Sequence, residues 1–242
     1  MIDIVTPAWA APANVGACCT TRQGGCSAAP FDSFNLGMHV GDRESDVILN
    51  RQRLRDQLAL PNEPEWIRQT HSTEVVTLER DAGRDADAAI TRVRGVVATV
   101  MTADCLPILL CHREGREVAA VHAGWRGLQG GIIQATLSAM QSSGADLLAW
   151  IGPGISQACF EVGDEVRAAF IDANPATASR FESNRAGHWL CDLAGIAVDW
   201  LAELGVNEVV RSPNCSYLES DLFYSYRREG VTGRMASLIW IK

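Results

Sequence analysis

Between Met101 and Gly131 the chain reads M-T-A-D-C-L-P-I-L-L-C-H-R-E-G-R-E-V-A-A-V-H-A-G-W-R-G-L-Q-G-G, and this stretch limits the possible folds more than any other. Two apolar runs, Leu106 to Cys111 and Val118 to Val121, flank the polar turn His112-Arg113-Glu114-Gly115-Arg116. Short apolar runs around a Gly-containing turn predict a β-hairpin. Pairing Cys111 with Glu117 sets Cys105 opposite Ala123, one residue from His122. The hairpin therefore carries a thiol and an imidazole to one end, where strand gives way to a Gly-rich turn.

The rest of the chain is read in relation to that hairpin. Ile2 to Trp9 suits an edge strand or extended arm, and Val15 to Thr21 a better strand. Pro30 to Asp42 follows neither a helical nor a strand period and is expected as a long irregular loop, a place where function tends to reside. Val47, Leu54, Leu58 and Leu60 predict a helix over Glu44 to Leu60, with Arg51, Arg53 and Arg55 outside and Pro61 as its stop. Trp66 to His71 and Glu74 to Leu78 read as strands broken at His71. The charged, Ala-rich segment Glu79 to Arg92, with Asp81, Asp85 and Asp87, is expected as a solvated loop. Gly95 to Thr102 is a buried strand, Gly127 to Ser143 a helix, and Leu147 to Ile151 a strand. Helices follow at Gly163 to Ala173 and Leu193 to Leu204, entered through His188 to Leu193, with a short strand at Glu208 to Val210. Leu222 to Arg228 and Gly233 to Ile241 are expected to pair as a hairpin. Strands and helices mix without a regular βαβ repeat or a linker-like shift in composition. The expectation is an α+β fold in which residues 1–242 form one domain, a mixed β-sheet packed by helices.

Charge and composition narrow the function. A formal charge of -8 and a pI near 5.1 argue against a nonspecific nucleic-acid or membrane-surface binder, which needs a net cationic face. A hydrophobic fraction of 47% with mean hydropathy near zero describes an ordinary soluble protein, and no run is long enough to cross a bilayer. No basic-then-apolar segment resembling a signal peptide opens the chain, so the cytoplasm is expected. The eight cysteines are scattered, mostly beside apolar residues and without a CxxC pair, which favours reduced, buried thiols.

Histidine occurs five times, at positions 39, 71, 112, 122 and 188. His71 and His122 sit at strand ends, and the hairpin sets Cys105 beside His122. One Cys and two His suit Zn²⁺ with the fourth position open to water or substrate. The separations between them match no compact zinc motif, and three other readings stand beside this one. Cys105 can be a core thiol among satisfied histidines. It can be a thiolate nucleophile paired with an imidazole. With Met101 nearby, His₂Cys also resembles a blue-copper ligand set, although five histidines cannot supply the further centres of a multicopper oxidase. Asp104 would orient a histidine or cap the turn. Gly124-Trp125-Arg126-Gly127 opens a helix and, with Arg126, is suited to an anion. Arg227 and Arg228 could do the same or be a solvated strand end. His112 lies at the far end of the hairpin, and His188 has no evident partner.

Five blocks together carry a resemblance. Arg68-Gln69-Thr70-His71-Ser72, Thr102-Ala103-Asp104-Cys105-Leu106-Pro107 and Val121-His122-Ala123-Gly124-Trp125-Arg126-Gly127-Leu128 make up three of them. The others are Phe34 to Asp42 and Phe223 to Arg228 with Thr232 to Ala236. In that set the chain resembles the YfiH-like, laccase-domain family from about Thr20 onward, with Thr70 where Val is more usual. The resemblance implies metal ligation by His71, Cys105 and His122, with zinc expected and copper as the alternative. It also implies a zinc-dependent purine nucleoside phosphorylase acting on adenosine, inosine or guanosine with phosphate, together with adenosine deaminase activity. Other names used for the family are polyphenol oxidase or laccase, cysteine hydrolase and peptidoglycan editing factor. Asn35, His39, Gln69, Arg126 and Arg227 follow as candidate substrate and phosphate contacts. The partners expected are small molecules, a purine nucleoside and phosphate, bound by a monomer.

Overall fold

The computed structural model describes residues 1–242. Strands β1 (Ile4–Val5) and β2 (Val15–Thr20) precede the irregular loop expected around Pro30 to Asp42, and helix α1 (Glu44–Gln57) follows it. The chain continues through β3 (Glu65–Trp66), β4 (Val75–Thr77), β5 (Ala88–Thr91) and β6 (Val97–Thr102). Next come the hairpin β7 (Leu106–His112) and β8 (Val118–Ala123), helices α2 (Trp125–Gly130) and α3 (Ile132–Ala139), and β9 (Leu147–Ile151). The C-terminal third holds β10 (Glu161–Gly163), α4 (Asp164–Ala173), β11 (Phe181–Arg185), β12 (His188–Cys191), α5 (Leu193–Glu203), β13 (Glu208–Arg211), α6 (Tyr226–Glu229) and β14 (Met235–Ile241).

These strands form two large mixed sheets, ordered β1-β2-β14-β6-β3 and β13-β9-β7-β8-β5-β4, and a small sheet β10-β12-β11. The large sheets pack face to face. Val100, Met235 and Ile239 from the first meet Leu109, Cys111, Val118 and Trp150 from the second in one apolar cluster. The other face of the second sheet, with Ile108, Leu110 and Val121, is covered by residues of α3, α4 and α5. The outer face of the first, with Cys18, Val97 and Leu238, is covered by Leu54 of α1 and by Phe34 and Leu36 of the irregular loop. Both sheets are thus covered on both sides, which is why β6, β7 and β8 read as continuous apolar runs instead of alternating ones. The α+β class and the single domain of mixed sheets packed by helices stand as expected.

Several local expectations are corrected. The hairpin register differs by one residue: Leu106 pairs with Ala123 and Cys111 with Val118. The His112 N–H bonds the Glu117 carbonyl at 2.9 Å, with Gly115 at φ 66° in the turn. The expected helix from Gly127 to Ser143 is two helices, divided at Gly131, whose φ of 97° only glycine adopts readily. Residues 226–229 are a helical turn instead of a strand, so β14 finds its partners in β2 and β6. His188 to Cys191 is strand β12, not the entry to a helix. Arg51 is not outside α1: its guanidinium stacks 3.8 Å from the Trp66 ring. The segment after Asp85 is not a solvated loop, because every residue of β5 is buried. All eight cysteines are free thiols. No helix is long and apolar enough to cross a membrane.

Candidate metal centre

The break in the chain at His71 is a crossover. Strand β3 runs parallel to β6 in the first sheet and β4 runs parallel to β5 in the second, so residues 67–74 carry the chain between them. His71 sits in that crossover with φ 60°, a conformation a non-glycine residue keeps only when its surroundings impose it. The imposing group is Asp87. Its carboxylate, fully buried, accepts the backbone N–H groups of Thr70 (3.2 Å), His71 (3.0 Å) and Ser72 (2.6 Å) and the Ser72 hydroxyl (2.7 Å). The same carboxylate lies 2.7 Å from His122 Nδ1, while the Asp87 carbonyl accepts the His122 N–H at 2.7 Å. One residue therefore sets the backbone of the first histidine and the ring of the second, and the carboxylate fixes His122 so that Nε2 faces the site.

Cys105 comes from the turn into β7. Under the observed register it falls opposite Gly124 instead of Ala123, and the glycine leaves the donors room: a Cβ there would lie 2.8 Å from the His71 ring and 3.0 Å from Cys105 Sγ. The thiol and His71 Nε2 are 3.9 Å apart, the His71 and His122 rings meet edge to face at 4.8 Å, and one ligand atom from each residue lies within 4.8 Å of the others. Four-coordinate binding, with metal–nitrogen bonds of about 2.0 Å and metal–sulfur bonds of about 2.3 Å, spaces donors at roughly 3.3–3.6 Å, so a small inward movement closes the set around one ion. The three donors expected from the sequence are brought together, and the group could hold a metal.

Without a metal the three groups hold charge among themselves. Burial works to raise the Cys105 pKa, but His122 and then His71 outweigh it and bring the thiol down to about 6. Burial works to lower the His122 pKa, and Cys105 and Asp87 outweigh that and lift it to about 9. Burial likewise opposes ionisation of Asp87, whose bonds from His122 and Ser72 nonetheless hold it well below the usual carboxylate range. A thiolate beside an imidazolium is what a metal ion replaces on binding, with loss of the imidazolium proton.

The remaining expected residues sort by what they touch. Asp104, with φ 95°, orients neither histidine; it accepts from the Ser216 hydroxyl and the Arg227 N–H, both at 2.7 Å, and so pins α6 onto the Cys105 turn. Gln69 braces the crossover through paired 2.7 Å bonds to the Met101 backbone. Asn35 is fully buried and holds Gly37, Asp42 and the Arg234 N–H, so it reaches the site through the loop it organises. His39 is exposed on that loop. Arg126 stacks on Trp125 at 4.4 Å, and Arg227 donates to the Glu161 carbonyl. Met101 packs its side chain in the outer apolar cluster with Leu54 and Leu238, away from the three donors, so it is no axial ligand. His112 lies at the far end of the hairpin, as expected, and His188 is 3.5 Å from Glu161. Asp87 and Arg234 are the neighbours of the centre that sequence reasoning missed. The readable signal for Asp87 was the apolar run Ala88 to Ile90 directly after it.

The chain is similar to proteins already known. The family described as multi-copper polyphenol oxidoreductase laccase matches residues 16–242. A purine nucleoside phosphorylase named YfiH from Escherichia coli K12 is 45% identical over 100% of both chains. Another protein named purine nucleoside phosphorylase, from Pseudomonas aeruginosa, is 46% identical over 98% of each. Among solved structures, a Neisseria meningitidis protein superposes with a TM-score of 0.95 at 46% identity over 99% of both chains.

Proposed function

The chain belongs to the multi-copper polyphenol oxidoreductase laccase family, and from that footing we propose that it is a zinc-dependent purine nucleoside phosphorylase. The observation that carries the reading is the His71-Cys105-His122 group, open on its remaining side and held by a buried carboxylate. Relatives of similar length and high identity carry the name purine nucleoside phosphorylase. Two imidazoles and one thiolate suit zinc, and a single cluster of this kind does not furnish the several centres of a multicopper oxidase. Zinc bound there would supply Lewis-acid polarisation at the substrate.

Phosphorolysis forms a bond from phosphate oxygen to the ribose C1′ and breaks the bond from C1′ to the purine nitrogen. The base leaves with that electron pair and takes up a proton. For the chain's own residues this means binding an anion beside the sugar and orienting the nucleoside. Arg126, beside the turn that carries His122, and Arg227, whose N–H bonds Asp104, are candidates for drawing the anion to the opening. Asn35 and Gln69 act by holding the loops around the centre, and His39 is free to touch the substrate. Deamination of adenosine is part of the same proposal, since adenine would occupy the same opening. Incubation of adenosine, inosine and guanosine with and without phosphate, following free base and ribose-1-phosphate, tests it. Phosphate-dependent release of both products is expected; free base formed equally without phosphate would contradict it.

The Cys105 pKa of about 6 favours one second reading, a cysteine hydrolase. A thiolate nucleophile keeps its activity after chelation and loses it on alkylation, whereas the zinc reading requires loss in both cases.

A further inference from the structure

Buried or half-buried guanidinium groups in this protein mostly end on something that balances them. Arg22 reaches Glu229 at 2.8 Å, Arg92 reaches Glu117 at 2.6 Å and Arg180 reaches Asp199 at 2.6 Å. Arg51 and Arg167 have no carboxylate but lie over Trp66 and Trp189 at 3.8 and 4.1 Å. Arg234 has no carboxylate, and its ring contact is a distant one, Tyr226 at 6.0 Å. Its side-chain bonds run from one nitrogen, Nη1, to the carbonyls of Thr232 and Gly233.

The fold goes to some length to hold this group where it is. The Arg234 N–H donates to Asn35 Oδ1 at 2.9 Å, and the Leu36 N–H donates back to the Arg234 carbonyl at 3.3 Å. Its aliphatic stem crosses Gly37 so closely that a Cβ on that glycine would lie 2.9 Å from Arg234 Cγ. On the other side stands α6, whose first turn is tied to Asp104, the neighbour of Cys105. The β14–β6 ladder pairs Met235 with Thr102, so Arg234 continues opposite Ala103, two residues before Cys105, and burial partly desolvates its charge. Asp104 makes no ion pair with it; its two oxygens bond the Ser216 hydroxyl and the Arg227 N–H. His39 follows by two residues the glycine that the Arg234 stem crosses, on the same loop, and partial desolvation, then Arg234 and Arg51, hold its imidazole below its usual range. A cation held beside a reactive centre with Nε and Nη2 unused is half of an oxyanion clamp.

We propose that Arg234, together with His39, forms the subsite that holds inorganic phosphate next to the His71-Cys105-His122 centre, a placement that rests on the phosphorolysis reading given above. The site lies between the Asn35–Gly41 loop and α6, so phosphate enters on the side of Tyr226, which is 60% exposed. Arg126, stacked on Trp125, and Arg227, turned to the Glu161 carbonyl, then contribute to the rim and not to the clamp.

Titration calorimetry of the metal-loaded protein with inorganic phosphate alone tests this without requiring turnover. Removing the guanidinium in Arg234→Met is expected to weaken binding by at least about tenfold, with Arg234→Lys recovering part of the loss, since a point charge remains but the fork does not. Metal content should stay at the wild-type value in both. His39→Gln, a surface change that leaves the loop intact, is expected to weaken phosphate by roughly threefold to tenfold, and it decides the matter if Arg234→Met fails to fold. In turnover the KM for phosphate should rise while that for nucleoside holds. Phosphate binding by Arg234→Met and His39→Gln within twofold of wild type would overturn the subsite, as would the absence of phosphate binding by the wild-type protein. Binding that depends on Arg234 in a protein that makes no ribose-1-phosphate would overturn the phosphorylase reading and leave the anion site standing.

Discussion

The two ends of the β7–β8 hairpin are built from the same parts. Each has a nearly fully buried histidine, His122 at one end and His112 at the other. Each has a buried carboxylate that gathers N–H and hydroxyl donors from a neighbouring turn: Asp87 takes Thr70, His71 and Ser72, and Glu117 takes Gln141 and Ser142. They differ in what is left over. At the far end Arg92 closes on Glu117 at 2.6 Å, and His112 Nδ1 accepts the Glu114 N–H at 2.9 Å. At the near end Asp87 takes one nitrogen of His122, and the other nitrogen, the Cys105 thiol and His71 have only one another. Buried polar residues and caged carboxylates occur at both; a set of donors left to face one another marks the functional end.

Removing the two carboxylates should therefore have crossed effects. Asp87→Asn is expected to weaken metal binding by roughly 10–100-fold, the usual effect of losing the group that orients a ligating histidine, measurable by competition with a chromophoric chelator. Glu117→Ala is expected to leave metal affinity unchanged and to cost about 3 kcal/mol of stability in denaturant melts, because it strands Arg92 and the Gln141 and Ser142 donors. Equal loss of metal in both variants would break the comparison.

Protons sharpen the contrast. In the metal-free protein His122 titrates near 9 and Cys105 near 6, so between those values the thiol has already lost its proton and the imidazole still holds one. Metal must displace that proton, and affinity should rise about tenfold per pH unit from pH 6 to 9 and then level off. The stability signs follow from the same pair. The His122 pKa is raised, so its contribution to the metal-free protein is full below about 6.5 and is lost as pH rises through 9. The Cys105 pKa is lowered, so its contribution is full above about 8.5 and is lost as pH falls through 6. A melting temperature highest between those limits, and a flatter profile in Cys105→Ser, are expected. A smaller effect should follow from Gly124→Ala, whose methyl group would press on His71 and Cys105: metal affinity reduced about threefold to tenfold with stability changed by less than about 1 kcal/mol. Arg68 lies on the same crossover but outside the cage, in an exposed pair with Asp85, and Asp85→Asn should leave metal affinity and melting behaviour unchanged.

Much of this contrast was legible in the sequence, and the reasons for the rest are physical. Cys105, His122 and the separation of His112 from them followed from an apolar pattern strong enough to predict the hairpin; His71 came from the strand break before it, and the reading of the three as one ligand set from the family resemblance. The one-residue error in register came from placing the turn by composition, when Gly115 and the His112–Glu117 bond set it. Asp87 was hidden because its role depends on partners 15 to 35 residues away, and a local reading of a charged, Ala-rich segment favours solvent. Arg234 was hidden for a similar reason: a cation signals a site only once it is known that no carboxylate meets it. The division of the helix at Gly131 and the turn at Tyr226 are tertiary choices that periodicity does not encode.

The central claim is that the open end of the hairpin is a metal-dependent centre for phosphorolysis. Its most direct test is to strip the protein with a chelator and titrate zinc back, following bound metal and phosphate-dependent ribose-1-phosphate release together, in the wild type and in Cys105→Ala. The account predicts that activity returns in proportion to zinc and saturates at about one equivalent per chain, with neither tight binding nor activity in the variant. Activity that survives in the stripped protein, or one equivalent of tightly held zinc in Cys105→Ala, would contradict it.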